Sequence, residues 1–228
     1  LKLTCTVHGP RPLPRSAPFS PHIILSTHVK YAPFATRKRR GYLRDSSERD
    51  LGVHLETALR GVIIGDRWPK SGVEVIITIL EGEEDQWWGD DRGRGQVTAG
   101  EWGMMSVLSG CITVASAAIA DAGIDCVDVV SGGVAAVVRG QGKQNSTTLV
   151  LDPVPSEHQE ILAAAIVAYL PGRDEITDLW VKGDIGNQAV QSSSYEELAD
   201  NAVQAALGSH RVLVAALKET ADMKLGRS

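Results

Sequence analysis

A mixed α/β fold, with helices laid on sheet in two layers, is what this sequence predicts, and three of its segments carry the expectation. Residues 73–80 read VEVIITIL, β-branched and almost wholly apolar, the composition of a buried strand. Residues 104–122 read MMSVLSGCITVASAAIADA, a small-residue apolar helix that Gly123 stops. From Tyr195 to Met223, Leu198, Val203, Ala206, Val212, Ala216 and Leu217 recur as one apolar side of a long helix. Strands and helices interleaved along one chain pack as helices on sheet.

The remaining elements follow from the N-terminus. Leu1–Val7 alternates Leu, Cys and Val with Lys and Thr, a half-buried strand pattern. Gly9-Pro10-Arg11-Pro12 is expected to end it, because proline lacks a backbone donor and fixes φ. Ile23–Tyr31 reads as a second strand, after which Pro33–Arg44 turns strongly basic. Ser46 and Ser47 offer N-caps for a helix whose Leu51, His54, Leu55, Ala58 and Leu59 share one face. Glu48 and Asp50 lie near its positive end. Val73–Leu80 reads as a central strand, and the acidic, Gly-rich Glu81–Gly100 as a loop or excursion. Cys126–Val138 reads as two strand-like halves around a turn or bulge at Gly132-Gly133. Thr147–Leu151 and Ile176–Lys182 are further strands. Glu160–Leu170 (EILAAAIVAYL) is ambiguous: its alanines favour helix, while Ile166-Val167 and the Pro171-Gly172 turn permit a strand. Gly208 is a candidate break in the last helix.

Composition bounds the function. The chain has 228 residues, 43% hydrophobic and 22% charged, which is globular and not disordered. No apolar run is expected to reach the ~20 residues that cross a bilayer. Leu1-Lys2-Leu3 is no signal peptide, and with no initiating Met the chain is expected to start inside a longer protein. Three cysteines, Cys5, Cys111 and Cys126, sit in apolar stretches without paired spacing, as buried reduced thiols do. The net charge of −5 argues against autonomous nucleic-acid binding and leaves room only for a local patch.

Chemistry is sparse. There is no phosphate-binding G-x-x-x-x-G-K-[ST] and no G-x-S-x-G elbow. The six histidines, His8, His22, His28, His54, His158 and His210, show no metal-ligand spacing. The carboxylates of Glu81-Gly82-Glu83-Glu84-Asp85 read as a solvated loop. Arg37-Lys38-Arg39-Arg40 stands out against the acidic chain. It reads as a solvated loop, a phosphate-contacting patch or a nuclear-import signal. Tyr31, Phe34 and Tyr42 nearby offer rings for base stacking, with packing against the sheet expected for at least two.

Several strings together resemble the RNase PH family. LKLTCTVHGPRPLPR resembles its first block, and Ser47-Glu48-Arg49-Asp50-Leu51 through Arg60 its first core helix. GVEVIITILEG followed by SVLSGCITVASAAIADAGI resembles its second strand–helix block. VHGPRP, SSERDL and ASAAIADAGID resemble the mRNA-transport-regulator branch of exosome ring subunits in its fungal form. The resemblance implies an α+β, RNase PH / ribosomal protein S5 domain 2-like fold, with residues 1–228 as a single domain lacking its beginning. It also implies that Glu160–Leu170 is a strand.

The resemblance speaks to activity position by position. Active members hold the attacking phosphate with an arginine just before the second helix, and Met104 stands at that place. They use a pair of aspartates after a Leu-Asp strand end for metal binding and general acid chemistry; Ser156 and Leu162 stand there. A thioether carries no charge and no donor, and leucine has no acid–base capacity. The expectation is a catalytically inactive subunit with no metal and no cofactor. The alternative is an active phosphate-dependent 3′–5′ exoribonuclease. The implied partners are other RNase PH-like subunits, pairing within a six-membered ring, S1/KH cap subunits and an associated hydrolytic exoribonuclease. Single-stranded RNA is expected to pass through the ring channel, faced by Arg37, Lys38, Arg39 and Arg40. No membrane partner is implied. Nucleus and nucleolus, with cytoplasm, are the expected locations.

Overall fold

The computed structural model describes residues 1–36, 39, 41–43, 45–82, 102–139, 147–154, 158, 161–183 and 194–226. Among the described residues, two sheets and three long helices make up the fold. The first sheet joins β1 (Lys2–Pro12), β2 (Ile24–Tyr31) and β3 (Ser71–Glu81) in the order β1-β3-β2. In it β1 runs antiparallel and β2 parallel to β3, so Cys5 and Val29 flank Ile77 in one row. The second sheet is antiparallel, with order β5-β4-β6-β7. Its strands are β4 (Ser131–Arg139), β5 (Thr147–Leu151), β6 (Ile161–Leu170) and β7 (Glu175–Gly183). The helices are α1 (Ser46–Arg60), α2 (Trp102–Asp121) and α3 (Tyr195–Lys224).

The helix-on-sheet unit occurs twice. Helices α1 and α2 fill the space between the sheets, where Leu51, Leu55, Leu59, Leu108, Cys111 and Ile112 meet Val75, Ile77 and Ile79 of β3. The opposite side of that core is Val134 and Ala136 of β4 with Ala164, Ile166, Ala168 and Leu170 of β6. The intervening residues of the same strands, Ala135, Val137, Ala163, Ala165 and Val167, pack on Leu198, Ala202 and Ala206 of α3. Thus β4 and β6 are covered on both faces, which explains their continuous apolar sequence. Each fully buried leucine or isoleucine contributes about 1.5–3 kcal/mol.

Several elements depart from expectation for identifiable reasons. Strand β1 continues past Gly9-Pro10 to Pro12, absorbing the prolines at a register irregularity between His8 and Arg11. It is an edge strand, where a missing donor leaves no partner unsatisfied. Strand β3 is central, but only Ser71, Val73, Val75, Ile77 and Ile79 are buried; its other face remains half-open. The cap of α1 is Asp45, one residue before the expected serines. Its carboxylate accepts from Glu48 N at 3.0 Å, and Glu48 Oε2 accepts from Asp45 N at 3.3 Å, a capping box. Gly132 and Gly133 lie inside β4 and make no turn. A Cβ on Gly132 would sit 2.5 Å from Ser109 O, and one on Gly133 2.2 Å from Ala202 O. Those glycines let α2 and α3 press backbone-close on the two faces of one strand. Helix α3 runs unbroken through Gly208, and its buried face is Leu198, Ala202, Ala206 and Leu213, leaving Val212 70% exposed.

Helix α2 is long and apolar enough to cross a bilayer, contrary to the expectation that no run reaches that length. Its Gly, Ser and Thr residues disguised the run. In the fold Met105, Val107, Leu108, Cys111, Ile112, Ala115 and Ile119 are fully buried in the core, which accounts for the composition.

Candidate functional site

Two places matter: the start of α2 with the start of β6, and the basic connection between β2 and α1. At the first, Trp102 opens α2 and packs partly into the core, Gly103 and Met105 are buried, and Met104 is half-buried. Lys182, near the end of β7, places its Nζ 5.9 Å from the centroid of the Trp102 ring. Met104 presents a thioether where an arginine would present a guanidinium, while the Lys182 ammonium lies against the neighbouring Trp102 ring.

Leu162 stands at an irregularity. The β4–β6 register steps from Val137↔Ala163 to Val138↔Ile161, so Leu162 is the extra residue of a bulge. It packs against the cluster beneath α3. Gly183, with φ +94°, closes on it from β7: a Cβ there would approach Leu162 O at 2.2 Å. Leu162 is thus an apolar, partly buried residue at the bulge, and its side chain carries no acid. Ser156 lies outside the described residues. Among those described, no group of three or more His, Cys, Asp and Glu residues converges as a metal site.

The second place begins where β2 ends. Ala32 N donates to Ile79 O at 2.8 Å and Gly82 N to Ala35 O at 3.2 Å, so the connection leaves the sheet beside the end of β3. Arg39 is exposed, whereas Arg37, Lys38 and Arg40 lie outside the described residues. Lys30 Nζ donates to Tyr42 O at 3.1 Å and lies 5.7 Å from the centroid of the Tyr42 ring. Phe34 is 74% exposed and Tyr42 83%, while Tyr31 is buried and its N–H donates to Glu48 Oε1 at 2.9 Å. Only one of the three rings is packed away, where two were expected: alternation along β2 turns Tyr31 inward, and the others lie beyond the strand. Lys30 was missed by the sequence reading. Its signal was the absence of any Asp or Glu from Lys30 to Arg44.

At the same end of the sheet Lys2 pairs with Glu81 at 2.7 Å. The hydrogen bond to Glu81 and its charge hold Lys2 above its usual pKa, and the same contact holds Glu81 below its own. The rest of the acidic excursion, from Glu83 to Gly100, lies outside the described residues.

Comparison with known proteins fits this geometry. Residues 1–125 match the RNase PH model described as "3' exoribonuclease family, domain 1". The chain is 61% identical over 222 residues to exosome complex component MTR3 of Chaetomium thermophilum, covering 96% of this chain and 74% of that protein. It is 28% identical over 197 residues to exosome complex component MTR3 of Homo sapiens, covering 81% of this chain and 63% of the relative. A crystal structure of rice Rrp46 superposes with a TM-score of 0.66 at 14% identity, covering 95% of this chain and 83% of that one, a likeness of fold.

Proposed function

Because this chain belongs to the RNase PH family, we propose that it serves as a non-catalytic structural subunit of the RNA exosome core ring. There it would support 3′–5′ RNA processing and degradation and help line the RNA channel. The observation that carries the reading is the pair Met104 and Leu162. One is a half-buried thioether on the first turn of α2, the other an apolar, partly buried bulge residue whose backbone carbonyl faces Gly183. Phosphorolysis needs a cation to hold the attacking phosphate and an acid to protonate the leaving oxygen, and neither side chain supplies these.

The subunit would pair with other RNase PH-like ring members and meet S1/KH cap subunits. An associated hydrolytic exoribonuclease would perform the chemistry, in nucleus, nucleolus and cytoplasm. Arg37, Lys38, Arg39 and Arg40 would contact the phosphates of single-stranded RNA without reading its sequence. Two measurements test this. Purified chain incubated with RNA and inorganic phosphate should release no nucleoside diphosphates; their phosphate-dependent appearance would establish the phosphorolytic alternative. Neutralising the four basic residues in a reconstituted ring should weaken RNA threading and lower its salt dependence, and unchanged RNA affinity would sink the channel role.

A further inference from the structure

The basic connection carries more than charge. From Lys30 to Arg44 the sequence holds Lys30, Arg37, Lys38, Arg39, Arg40 and Arg44 with no carboxylate among them, in a chain whose net charge is −5. Phe34 precedes the run and Tyr42 follows it, with their rings 74% and 83% exposed. Burying either ring would contribute about 1.5–3 kcal/mol, yet both remain outside while Tyr31 beside them is packed. Tyr42 is also held in place: Lys30 reaches across to its carbonyl oxygen and lies against its ring. A phenol fixed from one side and open on the other is a platform.

We propose that Phe34 and Tyr42 stack nucleobases of single-stranded RNA, with the exposed Arg39 contacting phosphates and Lys30 positioning the Tyr42 ring. Every base has a π-face, so such stacking is tolerant of sequence and suits a path that passes any RNA. The chemistry favours RNA over a protein partner, because six cations with no carboxylate among them suit a phosphate backbone, and single-strand sites interleave rings and cations. The inference deepens the channel reading and rests on it.

Titrating the chain, and the assembled ring, with fluorescently labelled oligouridine and with an abasic oligomer of equal length tests the proposal. Tyr42→Ala and Phe34→Ala should each weaken oligouridine binding by about fivefold or more. The slope of affinity against salt should stay unchanged in both. Neither should alter binding of the abasic oligomer, and Tyr42→Trp should keep wild-type affinity. Arg39→Gln should weaken both ligands and reduce the salt slope by about 0.7, one phosphate contact on a single strand. If Arg39→Gln behaves so but the ring truncations leave oligouridine binding intact, stacking is overturned and the phosphate path stands. If no substitution, including Arg39→Gln, affects either RNA, the channel reading itself fails. If the truncations reduce ring assembly and not RNA binding, the rings belong to a protein interface and the proposal is wrong.

Discussion

The imidazole of His54 lies flat on the indole of Trp180, with ring centroids 4.7 Å apart and planes 16° from parallel, while its Nδ1 meets Asp178 Oδ2 at 3.1 Å. Helix α1 is thereby fastened to β7, the outermost strand of the other sheet. Trp180→Ala should cost about 2–3 kcal/mol and His54→Ala less, with a coupling near 1 kcal/mol in the double mutant. Urea denaturation followed by circular dichroism gives all three values; strict additivity would mean that the stack contributes nothing as a pair.

Burial raises the Asp178 carboxyl above its ordinary 3.8, against the pull of His54, which lowers it. The folded state therefore holds that proton more tightly than the unfolded chain does. This contribution to stability is present below pH 3.8 and is lost as pH rises through the raised value. Asp178→Asn should flatten the stability curve in that window, as urea midpoints between about pH 3.5 and 6 would record.

Cys111 is buried, and burial, with Cys5 adding to it, pushes its pKa to about 12; burial alone takes Cys5 to about 11. Burial, with the Asp125 charge adding to it, takes Cys126 to about 11. All three thiols stay protonated at neutral pH and should react slowly with Ellman's reagent until the chain is unfolded. The unfolded thiols titrate near 9.0, so the fold should weaken as pH rises from there toward 11–12. Rapid native labelling at pH 8 would contradict this.

Glu48 is 4% exposed and serves two backbones: it completes the cap at Asp45 and accepts from Tyr31 N. Glu48→Ala should cost about 2 kcal/mol and Glu48→Gln somewhat less, since the single amide oxygen keeps one of the two bonds while the NH2 faces the other N–H. Equal losses in the two variants would show that acceptance by this side chain is not what matters.

Gly133→Ala places a methyl 2.2 Å from both Ala202 O and Ala206 N, so α3 must lift from the sheet at a cost of about 3 kcal/mol or more. Gly208→Ala on the same helix meets nothing within 4 Å and should stabilise by about 0.5–1 kcal/mol. Thermal melts of the two variants should move in opposite directions.

Elements with strong periodicity were legible in the sequence because their burial is one-sided: α1 shows Leu51, Leu55, Ala58 and Leu59 buried as its spacing predicts. Where a residue answers to two neighbours at once, sequence misled. Gly132-Gly133 looked like a turn or a bulge because the helix backbones that exclude a Cβ come from α2 and α3, remote in sequence. The basic run was plain from composition, but Lys30 was not, since its partner Tyr42 is met only after the chain turns. Met104 and Leu162 are singled out through resemblance alone; nothing in a methionine or a leucine by itself points to a phosphate or acid position.

Strand β6 reads ILAAAIVAYL, whose alanines would rather coil, yet it is paired between β4 and β7 and pressed from both faces. Its shape is imposed by partners, one of which, α3, follows it in the chain. Until that helix arrives, one face of the strand has no lid and its local preference runs the other way. The strand therefore waits on an element made after it, and a chain cut before Tyr195 should hold residues 161–170 less firmly as a strand than the longer chain does.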